Sequence, residues 1–182
     1  MKKVYIHFAD GFEEIEAITP VDVLRRGGCE VTMVSVTGNK LVKGAHDVTF
    51  TTDKLFEEVT YKDVDMIMLP GGMPGAKNLD NHAGLKGKIL EMNQKGKWVT
   101  AICAAPMVLG HLGLLKGKNA TCYPGFETDL TGANSTGNSV EIDGNIITGK
   151  GPGVAAKFAL TLLEVLEGKQ KADEVKKQMM ME

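Results

Sequence analysis

The chain has 182 residues, of which 43% are apolar and 24% charged, proportions of a soluble globular protein that exclude collagen-like, disordered and disulfide-scaffold classes. Its 21 basic and 23 acidic side chains leave a formal charge of −2, so nothing resembles the basic footprint of a nucleic-acid binder. Glycine is in excess, with 22 residues against an average usage of about 7%. The three cysteines lack zinc-type spacing, which reads as reduced thiols in a cytoplasmic protein. The length suits one domain covering 1–182. No signal-type apolar run follows Lys2 and Lys3, and the most apolar stretch, 100–115, contains Pro106 and His111 and is too short for a membrane span. A cytoplasmic protein without a membrane or nucleic-acid partner is the expectation.

In chain order, residues 4–8 read as a strand closed by the turn pair Asp10-Gly11. Residues 13–26 read as a helix with acids first, Arg25 and Arg26 last and Gly27-Gly28 beyond, with Pro20 expected to kink or interrupt it. Strand 31–36 and an extended piece at 47–52 follow, then the buried-type strand 66–69, which stops at Pro70-Gly71-Gly72. A helix at 82–94, a buried strand at 98–102, a helix at 104–115 and a weaker strand at 120–123 come next. After a polar loop at 131–138, strands 140–142 and 146–148 flank Asp143-Gly144-Asn145, a hairpin signal. Helices at 154–166 and 172–180 close the chain, the second a solvated helix or a partner-binding face. This alternation predicts a three-layer α/β/α sandwich around a mainly parallel sheet, with any site at the carboxyl ends of the strands.

Three strand-end loops carry chemistry. Cys103 follows strand 98–102, with Ala101 and Ala105 two positions to either side, the small-residue spacing that a tight nucleophile elbow requires. The positive end of the following helix would lower its thiol pKa; the plain alternative is an inert buried cysteine. Glu13 and Glu16 are three apart and share a helix face. They are either a favourable acidic first turn or a pair poised to hold a proton near neutrality. Gly71 and Gly72 would present backbone N–H groups to a developing oxyanion, or simply end a strand. Gly149, Gly151 and Gly153 do not have the spacing of a dinucleotide fingerprint, and no P-loop is present. Cys29 and Cys122 sit at no elbow and are expected to be packing residues. No cofactor or metal is implied.

These motifs occur together and in order: Gly11-Phe12-Glu13-Glu14-Ile15-Glu16, Leu69-Pro70-Gly71-Gly72-Met73-Pro74-Gly75, Ala101-Ile102-Cys103-Ala104-Ala105-Pro106 and Gly151-Pro152-Gly153. In this the chain resembles the ThiJ/PfpI superfamily, in the branch that includes the human Parkinson-disease-associated deglycase and its bacterial relatives. The resemblance runs nearly end to end. It implies a flavodoxin-like sandwich, usually a homodimer. It also implies Cys103 as the reactive cysteine, Glu16 as the acid that hydrogen-bonds it, and Gly72 and Ala104 as backbone donors of the oxyanion pocket. Departures accompany the match. Tyr123 stands where the human member has a histidine, His46 where it has an arginine, and Ala104 where the peptidase-like branch has a histidine.

The activity implied is cofactor-independent conversion of 2-oxoaldehydes such as methylglyoxal and glyoxal to 2-hydroxy acids, together with deglycase-type removal of such adducts. Cys103 would form a hemithioacetal and Glu16 would move the proton, with Glu13, Gly71 and Tyr123 in support. The alternative is a stress-related redox sensor or chaperone that acts through oxidation of Cys103. A cysteine peptidase is disfavoured because no histidine is positioned by sequence to activate the thiol.

Overall fold

The computed structural model describes residues 1–181. Its strands and helices run β1 (Lys3–Phe8), α1 (Glu14–Arg26), β2 (Glu30–Ser35), β3 (Leu41–Lys43), β4 (Thr49–Thr51), β5 (Lys54–Leu55), β6 (Met66–Leu69), α2 (Gly75–Asp80), α3 (Ala83–Gln94), β7 (Trp98–Ile102), α4 (Pro106–His111), β8 (Asn119–Ala120), β9 (Asn134–Ser135), β10 (Val140–Asp143), β11 (Ile146–Gly149), α5 (Ala155–Glu167) and α6 (Lys169–Gln178). A seven-stranded sheet has the order β10-β11-β7-β6-β1-β2-β5. Every pairing in it is parallel except β10 with β11, the hairpin expected at Asp143-Gly144-Asn145.

Both faces of the sheet are covered, because its strands alternate between two apolar cores. Val4, Ile6, Phe8, Met66 and Met68 pack on one side with Phe158, Leu162 and Leu163 of α5 and with Ala17, Val21 and Leu24 of α1. Ile67, Leu69, Val99 and Ala101 pack on the other with Leu79, Leu85, Ile89 and Leu109 from α2, α3 and α4. The three-layer, flavodoxin-like sandwich is therefore present. α6 lays Ala172 and Val175 onto the first core, as expected of a solvated helix with a few core contacts.

The adjacency of β1, β6 and β7 places the site. Ile6 is opposite Met68, and Leu69 is opposite Ala101, so the three carboxyl ends lie side by side. Several elements depart from the sequence reading. α1 is continuous through Pro20; the ring removes one amide from the ladder, and the burial of Ala17, Val21, Val23 and Leu24 around it holds the helix together. The extended piece at 47–52 is half of a small β3–β4 hairpin. The helix expected over 104–115 is only Pro106–His111, flanked by turns that end at Gly113 and Gly117, both with φ above +70°.

His7 on β1 is fully buried, with Nε2 2.7 Å from the Tyr61 hydroxyl. Burial pushes its pKa down to about 3 from an ordinary 6.5. Between those values the unfolded chain takes up a proton that the fold refuses, so stability present above pH 6.5 is lost as pH falls toward 3. His7→Gln is expected to flatten that acid limb by several kcal/mol. Thermal melts followed by circular dichroism across this range check the expectation; parallel limbs in both proteins contradict it.

Candidate active site

Cys103 comes directly after β7 on a turn in which Ala105 N–H donates to Ile102 O at 3.1 Å. Its φ of +66° is a left-handed value that costs a non-glycine residue about 1–3 kcal/mol. The turn closes because Ala101, Ala104 and Ala105 are small and buried. Two backbone bonds hold it: Cys103 N–H donates to Gly149 O at 2.9 Å, and Cys103 O accepts from Tyr123 N–H at 2.8 Å. The thiol residue is 7% exposed.

Glu16 reaches this point from the first turn of α1. Glu13 is the N-cap of that helix, not part of it, and its Oε2 accepts from Glu16 N–H at 2.7 Å. Glu13 N–H donates to Gly71 O at 2.9 Å, and Gly71 N–H donates to Glu16 Oε2 at 3.0 Å. The β6 loop and the start of α1 thus clasp one another in both directions. Glu16 is fully buried, and its Oε1 makes no hydrogen bond. Burial first, then the nearby Glu13 charge, push its pKa up to about 7, against the pull of the Cys103 thiol and the Gly71 amide.

The thiol departs from the sequence expectation. Burial and the facing Glu16 carboxylate push its pKa upward, while the backbone amides of Gly72 and Ala104 act on the sulfur in the opposite direction. A six-residue α4 stacks too few peptide dipoles to reverse this. The carboxyl and the thiol therefore titrate as one coupled unit. Near neutrality the carboxyl gives up its proton, while the thiol, held up by burial and by that carboxylate, keeps its own.

The glycines of this loop are steric necessities. A Cβ on Gly71 would lie 2.6 Å from both Cys103 Cβ and Glu16 Oε2. One on Gly72, whose φ is +85°, would lie 2.4 Å from Glu13 N. Gly71→Ala is expected to destabilise the fold by about 1–3 kcal/mol and to push the carboxyl away from the thiol. Urea unfolding together with the pH dependence of Cys103 alkylation checks both; an unchanged alkylation profile contradicts the second.

Tyr123 is 47% exposed and is tied to the elbow by its backbone, with its ring over Gly151. Glu14 points away from the thiol. Its carboxylate accepts from His46 N–H at 2.7 Å and contacts His46 Nδ1 at 2.8 Å. Glu13, Glu14 and His46 can bring three ligand atoms within 4.8 Å of one another, the only such group among the described residues. The Glu14 oxygens there are already bonded to the His46 loop. The other histidines have partners elsewhere: His7 with Tyr61, His82 as the cap of α3, and His111 with Asp80. Cys29 and Cys122 are buried, and burial raises both thiol pKa values to about 11. The role of Gly149 in anchoring the elbow was not legible, since its only sequence signal was a glycine run of the wrong spacing for a nucleotide.

Comparison with known proteins fits this geometry. The DJ-1/PfpI family matches residues 2–165. The chain is 44% identical over 176 residues to Protein DJ-1 homolog B of Arabidopsis thaliana, covering 96% of this chain and 40% of that protein. It is 39% identical to Protein dj-1beta of Drosophila melanogaster, covering 97% of this chain and 95% of that one. The chain thus spans less than half the length of the plant relatives it matches. Oxidized Toxoplasma gondii DJ-1 superposes with a TM-score of 0.95 at 37% identity, covering 100% of this chain and 99% of that one. No helix among the described residues is long and apolar enough to cross a membrane. The chain belongs to the DJ-1/PfpI family.

Proposed function

We propose that the protein is a cofactor-independent glyoxalase- and deglycase-type enzyme acting on 2-oxoaldehydes such as methylglyoxal. The observation that carries this reading is the buried pair of Glu16, raised to about 7, and Cys103, with the Gly72 and Ala104 amides on its sulfur. Glu16 carboxylate takes the thiol proton, and the thiolate adds to the aldehyde carbon C1. The alkoxide so formed regains that proton from Glu16, giving a neutral hemithioacetal. The carboxylate then removes the C1 hydrogen as a proton and returns it to C2 through an enediol. C1 is thereby oxidised and C2 reduced, so no external redox partner is needed. Water hydrolyses the resulting 2-hydroxyacyl thioester, releasing the 2-hydroxy acid and the thiol. Gly72 and Ala104 N–H groups stabilise the oxyanions of addition and hydrolysis, and the Glu13 charge helps keep Glu16 basic. The test is lactate formation from methylglyoxal by the purified protein; unchanged turnover in both Cys103→Ser and Glu16→Gln would falsify the scheme.

Oxidation of Cys103 is the second reading. The amide donors that favour a thiolate would also hold a sulfinate, formed by consuming two equivalents of peroxide with release of two waters. A relative from Toxoplasma gondii is described as oxidized. Intact mass after mild peroxide should then show two added oxygens on Cys103; addition confined to Cys29 or Cys122 argues against a sensor. Peptidase chemistry gains no support, since each histidine has its partner away from the thiol. Homodimerisation is the assembly the family resemblance implies, and sedimentation equilibrium tests it.

A further inference from the structure

Three segments leave the active site and meet again at one side chain. α2 starts just after Gly72, whose carbonyl accepts from Ala76 N–H at 2.8 Å, and it ends at Asp80. α4 starts just after Ala104, whose carbonyl accepts from Met107 N–H at 3.1 Å, and it ends at His111. The third segment runs from Tyr123, bonded to Cys103 O, through Phe126 into a single 3-10 turn at Glu127–Asp129. His111 joins all three. Its Nδ1 lies 2.9 Å from Asp80 Oδ2, and its Nε2 lies 3.5 Å from Asp129 Oδ1. A neutral imidazole has one N–H and one lone pair, so it would turn the lone pair to a carboxylate; only the imidazolium offers each acid a donor. Asp80 needs that cation. Its Oδ1 is buried without a hydrogen-bond partner, approached only by Lys86 Nζ of α3 at 3.5 Å. Glu127, the other acid of the turn, is occupied elsewhere, its Oε2 accepting from Gly125 N–H at 2.8 Å. The turn is seated closely on α4: a Cβ on Gly110 would collide with Asp129 O.

We propose that His111 is a positioning residue of the active site, an imidazolium clip that holds α2, α4 and the 127–129 turn together and thereby fixes the spacing of the Gly72 and Ala104 amides. Its effect on turnover rests on the glyoxalase reading; the clip itself rests on the geometry. Each helix has six residues, about 9 Å of stiff backbone, with an oxyanion donor just ahead of one end and a clip partner at the other. Fastening the far ends leaves the near ends little freedom to separate. A donor pair displaced by about 1 Å forfeits much of its hold on an oxyanion. When the ring loses its proton, one carboxylate must be released. Asp129 is farther from the ring and, at 38% against 15% side-chain exposure, closer to water than Asp80. It is the one that goes, and the turn behind Tyr123 loosens. The Asp80 bond first, and Asp129 after it, raise the His111 pKa above its ordinary 6.5. The clip is therefore closed below pH 6.5 and opens as pH rises through that raised value.

NMR titrations of amides and imidazoles test the clip without turnover. They are run in Glu16→Gln, so that the Glu16 titration does not overlie that of His111, and repeated with His111→Gln added. The His111 Cε1 proton should titrate above pH 6.5, and Asp129→Asn should move that midpoint down. The Gly72 and Ala104 amides should carry an inflection at the same midpoint, absent once His111 is replaced. A His111 midpoint indifferent to Asp129→Asn, or donor amides that ignore His111, overturns the proposal. Turnover of methylglyoxal is read with Glu16 intact. Below the His111 midpoint, His111→Gln and Asp129→Asn should each lower kcat about tenfold with KM unmoved. The native kcat should decline above that midpoint, and this alkaline limb should be missing in His111→Gln. Equal alkaline limbs in the two proteins overturn the positioning role. Donor amides that follow His111 in a protein that forms no lactate would leave the clip standing and sink the glyoxalase reading alone.

Discussion

Glu16→Gln should make the protein more stable at pH 8 by about 3 kcal/mol while abolishing most of its turnover. The stability half follows from proton linkage. Glu16 holds its proton to about pH 7 in the fold against an ordinary 4.5. The stability from that tightly held proton is complete below about pH 4.5 and is lost as pH rises through about 7. Two and a half pKa units are worth about 3 kcal/mol. Glutamine keeps an acceptor for Gly71 N–H but has no charge to bury, so the Glu16 contribution should vanish from its stability curve, leaving the His7 limb below pH 6.5. The activity half follows from the scheme, because an amide can neither take the thiol proton nor carry hydrogen from C1 to C2; a loss of about 10²–10⁴-fold is expected. Denaturant unfolding at pH 5 and pH 8, with lactate assays on the same samples, checks both. A variant less stable than the native protein at pH 8 would show that the Glu16 charge is not a cost to the fold.

Cys103→Ser should leave the fold intact and eliminate turnover by about 10⁴-fold or more. Serine fits the same small turn, and the bonds that fix the elbow, from Cys103 N–H to Gly149 O and from Tyr123 N–H to Cys103 O, belong to the backbone. The hydroxyl, however, is far less acidic than the thiol, and Glu16 near 7 cannot activate it. Lactate production and a thermal melt settle the two halves separately. Turnover within tenfold of the native rate would remove Cys103 from the chemistry.

Much of this site was written in short-range sequence signals. The alanines around Cys103, the glycines at 71 and 72, and the offset between Glu13 and Glu16 each answer to a local steric or helical rule. Parallel neighbours then brought those three loops together. Other features depended on contacts distant in sequence. That Glu13 is a cap while Glu16 is the buried partner depends on the exchange of hydrogen bonds with Gly71, 55 residues away from Glu16. The direction of the Cys103 shift does not follow from its place at a helix start, because the thiol is buried against the Glu16 carboxylate, which comes from a loop far away in sequence. Burial, which no window of residues reports, then prevails over the dipole.

The proposed coupling of Glu16 to Cys103 is most directly tested by the rate of Cys103 alkylation with iodoacetamide as a function of pH, in the native protein and in Glu16→Gln. The native profile should carry an inflection near 7, where Glu16 loses its proton, and the variant should lose that inflection and, without the carboxylate that holds the thiol up, ionise its thiol at lower pH than the native protein. Two superimposable profiles would contradict the coupling on which the proposed chemistry depends.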